Sequence, residues 1–322
     1  MYEKTERLVY YYDLSISAKS RTFEASKPIS VKKAFELIQL VPLDKKTKEL
    51  SKGNELIYVP DLEWTDDIIC ILINKSDKGM SDPVFTIPKE NKRRTAEKQE
   101  KEGQDFSVHM VIKLPSNDID SALVIIEHCP GLSVSTVKRL LNQIISDAKK
   151  ISPDDFKQMH PDGAIDNDGK PKKYSVTFKC ELNGHISNEL KYDLDHGKVQ
   201  SIELITDKEQ YTSFDEEGYI QEKCKTLVLT LKDNEHPILD KFNRITNVIK
   251  QQKEDYSKAK VKFKTTTGID RTVEINTTDG LAQAYVKKEK LDGFEIDLKS
   301  SYDKLSKPIL DKIKELLLPE TQ

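Results

Sequence analysis

Apolar positions recur with readable periods along most of the chain. Leu8–Ile16, rich in tyrosine and β-branched residues, predicts a strand. Ser30 precedes Ala34, Phe35, Ile38 and Val41 at helical spacing, which makes it the expected N-cap of a helix that Pro42 stops. Glu55–Val59, Asp67–Ile73 and Pro83–Ile87 read as short strands, and the unbroken apolar run Ile68–Ile73 belongs at the centre of a sheet. Lys89–Lys101 holds six basic and three acidic residues with Ala96 as its only apolar one. It has no face to bury, so a solvated loop or a helical excursion is expected there. Alternation resumes at Phe106–Leu114. Ala122–Ile126 is a second apolar run, and Leu132, Val137, Leu140, Leu141, Ile144 and Ile145 mark a helix from about Ser133 to Lys149.

Periodicity lapses over Ile151–Lys173, which contains Pro153, Pro161, Gly163, Gly169 and Pro171 and is expected to be a linker. Beyond it, Tyr174–Leu182, Val199–Ile205 and Leu227–Leu231 predict strands, and His236–Lys253 a helix. Val261–Lys264 and Arg271–Ile275 suggest a hairpin turning at Thr267–Gly268–Ile269. Phe294–Leu298 suggests one more strand, and a closing helix is expected from about Tyr302 to Leu318. No internal repeat is evident. The expected fold is α+β: two mixed sheet-and-helix domains, 1–150 (with a polar loop at 88–104) and 174–322, joined by a polar Pro/Gly-containing linker at 151–173.

A length of 322 residues fits two cores. Lys and Arg total 52 against 55 Asp and Glu, for a formal charge of −3, and no stretch approaches the ~20 apolar residues of a membrane helix. Glu3, Lys4, Glu6 and Arg7 stand where a signal peptide needs an apolar run. Cys70, Cys129, Cys180 and Cys224 form no CxxC pair, which fits a reducing cytosol and excludes a zinc ribbon. No phosphate-cradling glycine motif is present, so no nucleotide cofactor is expected.

Charge is uneven locally. Lys241–Lys264 carries eight basic residues against Glu254 and Asp255, whereas Glu203–Glu222 carries seven acids against Lys208. Alternation on a strand sets Lys260, Lys262 and Lys264 on one side, a row of ammonium groups able to follow a phosphate backbone. The candidate DNA-binding residues are therefore Arg244, Lys250, Lys253, Lys258, Lys260, Lys262 and Lys264, with Lys92, Arg93 and Arg94 as a second set. The same pattern also suits a plain solvated face. One alternative is a Mg²⁺-dependent nuclease using Asp279, Asp297 and Lys299 in a loose D-x-K arrangement. Another is a protein-interaction adaptor docking a basic partner through Glu203–Glu222. Asp166–Gly169 is no calcium loop, because Ala164 and Ser175 fall where ligating carboxylates belong. The six histidines show no HxH or HExxH spacing.

The order of these segments, with Glu102–Ile112, Gly131–Asn142, Val176–Leu182 and the strand–helix–strand reading of Leu227–Lys264, resembles the RexA-like phage-exclusion proteins. The resemblance implies a cytosolic, homodimeric, non-enzymatic protein that binds double-stranded DNA in bacterial antiphage defence. It further implies signalling to a small membrane partner. With a pI near 6.2, any DNA binding has to use a polarised surface rather than net attraction.

Overall fold

The computed structural model describes residues 4–23, 26–115, 121–165, 168–185, 188–206, 225–231, 241–252, 254–277 and 286–317. In chain order the elements are β1 (Arg7–Lys19), α1 (Val31–Leu40), β2 (Thr47–Leu50), β3 (Glu55–Thr65), β4 (Ile68–Asp77), β5 (Val84–Ile87), β6 (Lys92–Thr95), β7 (Gln104–Lys113), β8 (Ser121–Glu127), α2 (Val134–Ile151), β9 (Lys157–Met159), β10 (Lys173–Ser175) and β11 (Thr177–Gly184). They continue with α3 (Asn188–His196), β12 (Lys198–Thr206), β13 (Lys225–Leu229), α4 (Lys241–Gln251), β14 (Lys258–Lys264), β15 (Asp270–Asn276), β16 (Lys288–Leu291) and α5 (Lys307–Glu315). The mixed α+β expectation holds. Among the described residues no helix is long and apolar enough to cross a membrane.

The chain divides into two compact units, Met1–Leu182 with Lys288–Gln322, and Asn183–Lys287. The expected boundary at 151–173 is therefore corrected. That stretch lies inside the first unit: Phe156 is buried in its core, and β9 pairs with β10. Proline and glycine there shape turns rather than a spacer. β11, expected to begin a second domain, instead joins the first sheet beside β1. The final segment returns to the first unit as well.

The first unit is built on a sheet ordered β11-β1-β8-β7-β4-β3-β2, with β16 pairing the first residues of β1. β4 occupies its interior, as its unbroken apolar run predicts. The side-chain alternation explains that run, because both faces are covered. Ile69, Ile71 and Ile73 of β4, with Val108, Met110 and Ile112 of β7, pack against α1 and α2. Cys70, Val111 and Ile125 point the other way and pack against Ile309, Leu310 and Ile313 of α5. Ser30 and Ser133 cap α1 and α2, accepting from the backbone N–H of Lys33 and Thr136. Phe294–Leu298 is not a strand; β16, earlier in the chain, takes the place at the sheet edge.

The second unit is a four-stranded antiparallel sheet, β13-β12-β14-β15. Phe242, Ile245 and Ile249 of α4 and Leu194 of α3 share one apolar core with Ala259, Val261 and Phe263 of β14. The order helix–strand–strand occurs twice here, and the two copies meet along β12 and β14, a repeat that residue identities conceal. The hairpin at Gly268 forms as expected, with the glycine at φ +84°.

Candidate nucleic-acid interface

The alternation on β14 does place Lys258, Lys260, Lys262 and Lys264 on the side opposite the buried Ala259, Val261 and Phe263. The neighbouring strands put acids among them. Glu203 and Glu274 stand in register on either side of Lys260, and Asp270 stands opposite Lys264. Lys262 Nζ lies 2.6 Å from Glu203 Oε1. The row is thus interleaved with carboxylates, and its field falls off accordingly.

Arg244 and Lys250 do not join that row. α4 and β14 bury their apolar sides in the same core, so their polar sides face in opposite directions, and both residues are exposed on the outer side of the helix. A helix and a strand that share a core cannot also share a solvent face. Lys253 lies outside the described residues, as does most of the acidic stretch Glu203–Glu222. The expectation of one continuous surface from Arg244 to Lys264 is corrected on that ground.

The second basic set behaves differently. Lys92, Arg93 and Arg94 are neither in a loop nor in a helix: they form β6, which pairs with β5 in an antiparallel hairpin between β4 and β7. The cross-strand pairs are Val84 with Thr95, Phe85 with Arg94, Thr86 with Arg93 and Ile87 with Lys92. Backbone pairing sustains this ribbon where side-chain burial cannot, since all eight strand residues are exposed. The tip turns through Pro88–Glu90 to Asn91 in the left-handed region at φ 52°. The base is tied by Ala96 N–H donating to Pro83 O and by Lys98 Nζ 3.4 Å from Asp82.

Two features set the ribbon apart from a solvated hairpin. Val84, Phe85 and Ile87 are 53%, 53% and 51% exposed, which leaves three large apolar side chains uncovered on one strand. On the paired strand, Arg93 and Arg94 make no ion pair with a carboxylate among the described residues, and Arg94 lies 4.8 Å over the Phe85 ring. Lys92 pairs at 2.7 Å with Glu90 at the exposed tip. The sequence predicts the first strand, Pro83–Ile87, but places Lys92–Thr95 in a loop or helix rather than in its partner strand. The signal was a strand ending at Pro88, a turn residue at Asn91 and a second β-compatible tetrad.

The residues of the nuclease alternative are not brought together as a metal site. Asp297 is exposed and pairs with Lys4 at 3.3 Å, the Lys299 carbonyl accepts from Arg7 at 2.7 Å, and Asp279 lies outside the described residues. No group of carboxylates, histidines or cysteines able to hold a metal occurs among the described residues.

A buried polar cluster went unread in the sequence. Arg7 Nε donates to Glu127 Oε1 at 2.7 Å, and His109 Nδ1 lies 2.7 Å from Glu127 Oε2. His109 Nε2 accepts the Ser306 backbone N–H at 3.0 Å, so the ring proton sits on Nδ1 and donates to Glu127. Beside it, Asn74, Tyr58 and Ser301 donate to Asp105, whose carboxyl burial raises above its usual range against those hydrogen bonds. The cluster's partners, the backbone at Lys299, Tyr302 and Ser306, show that it fastens the C-terminal segment to the sheet. Comparison with protein-family models, with curated proteins and with solved structures gave no match.

Proposed function

We propose that the protein is a non-enzymatic, sequence-independent binder of double-stranded DNA whose principal contact element is the ribbon Val84–Thr95. The observation that carries this reading is the combination of eight exposed strand residues, arginines without carboxylate partners among the described residues, and half-exposed apolar side chains on one two-stranded element. Two paired strands lie about 4.8 Å apart, narrow enough to enter a major groove about 12 Å wide. Lys92, Arg93 and Arg94 contact phosphates, and Phe85 and Ile87 make apolar contact within the groove. The β14 lysines, diluted by Glu203 and Asp270, serve at most as a weaker second surface. The sequence resemblance supplies the setting of this proposal: a cytosolic homodimer in antiphage defence that signals to a small membrane protein.

Fluorescence anisotropy with a labelled duplex tests it. Three phosphate contacts give a slope of about −2.7 in log affinity against log salt, or about a 40-fold loss between about 50 and 200 mM. Arg93→Glu with Arg94→Glu is expected to abolish binding at the higher salt, while Lys258→Glu with Lys262→Glu changes affinity little. Absence of binding at low salt with micromolar protein refutes the proposal. A larger loss in the β14 variant than in the ribbon variant moves the interface to the second unit.

A further inference from the structure

Where β1 ends against β11, the first unit carries a half-open cleft of about 630 Å³ with an unusual lining. Each of its eight lining residues bears either a cation or a hydroxyl: Lys19, Arg21, Lys149 and Lys179 supply the charge, and serines and threonines supply the rest. The cleft lies at the opposite end of the sheet from the ribbon. The ribbon leaves β4 at Asp77, which pairs with Gln104 at the start of β7, on the side where β1 begins.

The folding of this edge explains the composition. β11 buries Phe178 and Cys180, as the chain just before it buries Val176, and turns Thr177 and Lys179 outward, with Ser175 continuing the exposed row. The chain leaving β1 is held beside it by Ser20, whose hydroxyl donates to the Ser175 carbonyl at 3.0 Å and accepts the Thr22 N–H at 3.1 Å. Lys149 reaches in from the last turn of α2. Its ammonium donates to Ser175 Oγ and to the Val176 carbonyl, both at 2.8 Å, and lies 5.8 Å from the Phe156 ring centre. Two of its three protons are thereby fixed, and the third is left for a ligand. None of the four cations pairs with a carboxylate among the described residues. Lys33, Lys75, Lys98, Lys138 and Lys150 of the same unit each do. Four cations around one concavity, with no carboxylate partner among the described residues, repel one another, and an anion relieves that repulsion.

From this lining we infer that the cleft is a binding site for a small compound carrying at least two linked phosphate groups, of the pyrophosphate class. Four cations exceed what one phosphate satisfies. No apolar or aromatic residue lines it, so the cleft offers no ring to stack on a base and no dedicated apolar slot for an acyl chain. The hydroxyls of Ser175 and Thr177 donate to phosphate oxygens between the charged groups. This site is independent of the proposed DNA contact, and either stands without the other.

Calorimetric titration of the whole protein with pyrophosphate, tripolyphosphate and inorganic phosphate, at about 50 mM salt, tests the inference. Saturable one-to-one binding of pyrophosphate is expected, at least about tenfold tighter than of phosphate. Arg21→Gln with Lys179→Gln, both at exposed positions that leave the core intact, is expected to weaken it by a further tenfold or more. The ribbon variant Arg93→Glu with Arg94→Glu is expected to bind pyrophosphate like the parent, and the Arg21/Lys179 variant to bind duplex DNA like the parent. No saturable binding of pyrophosphate or tripolyphosphate up to millimolar concentration overturns the inference. So does unchanged affinity in the Arg21/Lys179 variant, and so does displacement of pyrophosphate by duplex DNA, which would make the cleft part of the nucleic-acid surface.

Discussion

Arg7, Glu127 and His109 are buried under the returning C-terminal segment, and every hydrogen bond among them leaves one fewer group to satisfy with water. Glu127 accepts from the Arg7 guanidinium and from both the ring and the backbone N–H of His109. Removing one ion strands the other in a low-dielectric site. Arg7→Met is therefore expected to cost about 3–5 kcal/mol in urea unfolding. Adding Glu127→Gln should recover part of that loss, and a double-variant cost equal to the sum of the two single costs contradicts the pairing. Asp105 gives a pH signature. A carboxyl raised on folding binds more protons in the folded state, so its stabilising contribution is complete below its ordinary value of 3.8 and is lost as pH rises through the folded value. The stability of the parent relative to Asp105→Asn should therefore fall as pH is raised from 3.8, measured as paired urea midpoints. A difference that stays constant with pH rules out the half-buried Asp105 carboxylate as its source.

Among the elements, those with a strong apolar period were legible before folding. α1, α2, β4, β7 and β8 lie within a few residues of where spacing and capping place them, because each buries a face whose pattern is local. Of the ribbon only β5 was legible; β6 was read as loop or helix, since it buries nothing and is held by backbone hydrogen bonds that composition does not record. β9 and β10 were hidden in the same way behind proline and glycine. Close approach between elements is equally invisible. A Cβ on Gly197 would lie 2.3 Å from both the Asp193 and Lys264 carbonyl oxygens, where the end of α3 meets the end of β14. Gly197→Ala is thus expected to destabilise the second unit by roughly 1–3 kcal/mol. Hydrogen exchange should quicken in β12 and β14 while β4 and β7 keep their protection. Parental exchange rates in β12 and β14 would show that the two carbonyls give way freely.

For the whole molecule, the decisive event is the return of residues 288–317 to the first sheet. β16 extends the sheet at β1, and α5 covers Val9, Tyr11, Cys70, Val111 and Ile125. A chain ended after Lys287 uncovers that face together with the Arg7–Glu127–His109 cluster. It is expected to bind a hydrophobic dye and to precipitate at concentrations where the full chain stays in solution. Equal solubility and dye binding would mean that the first sheet is stable without its second cover. The division between units falls after Leu182 rather than in the proline- and glycine-rich stretch, because Phe156 and β11 belong to the first core and sheet.

By itself the sequence determined the α+β class, the caps and apolar faces of the main helices, the central place of β4 and the alternation that turns the β14 lysines outward. These follow from local periods of 3.6 and 2 residues and from the demand that apolar positions be buried. Only the tertiary structure decided which surfaces the cations share. It separated Arg244 from Lys260 because α4 and β14 face each other across one core, and it set Glu203 and Glu274 beside Lys260 by strand register. It also gathered Lys19, Arg21, Lys149 and Lys179 from three elements around one cleft. Spacing along a chain fixes which side of its own element a residue occupies. Which elements then become neighbours is a matter of packing between distant segments, and charge patterns acquire their meaning only there.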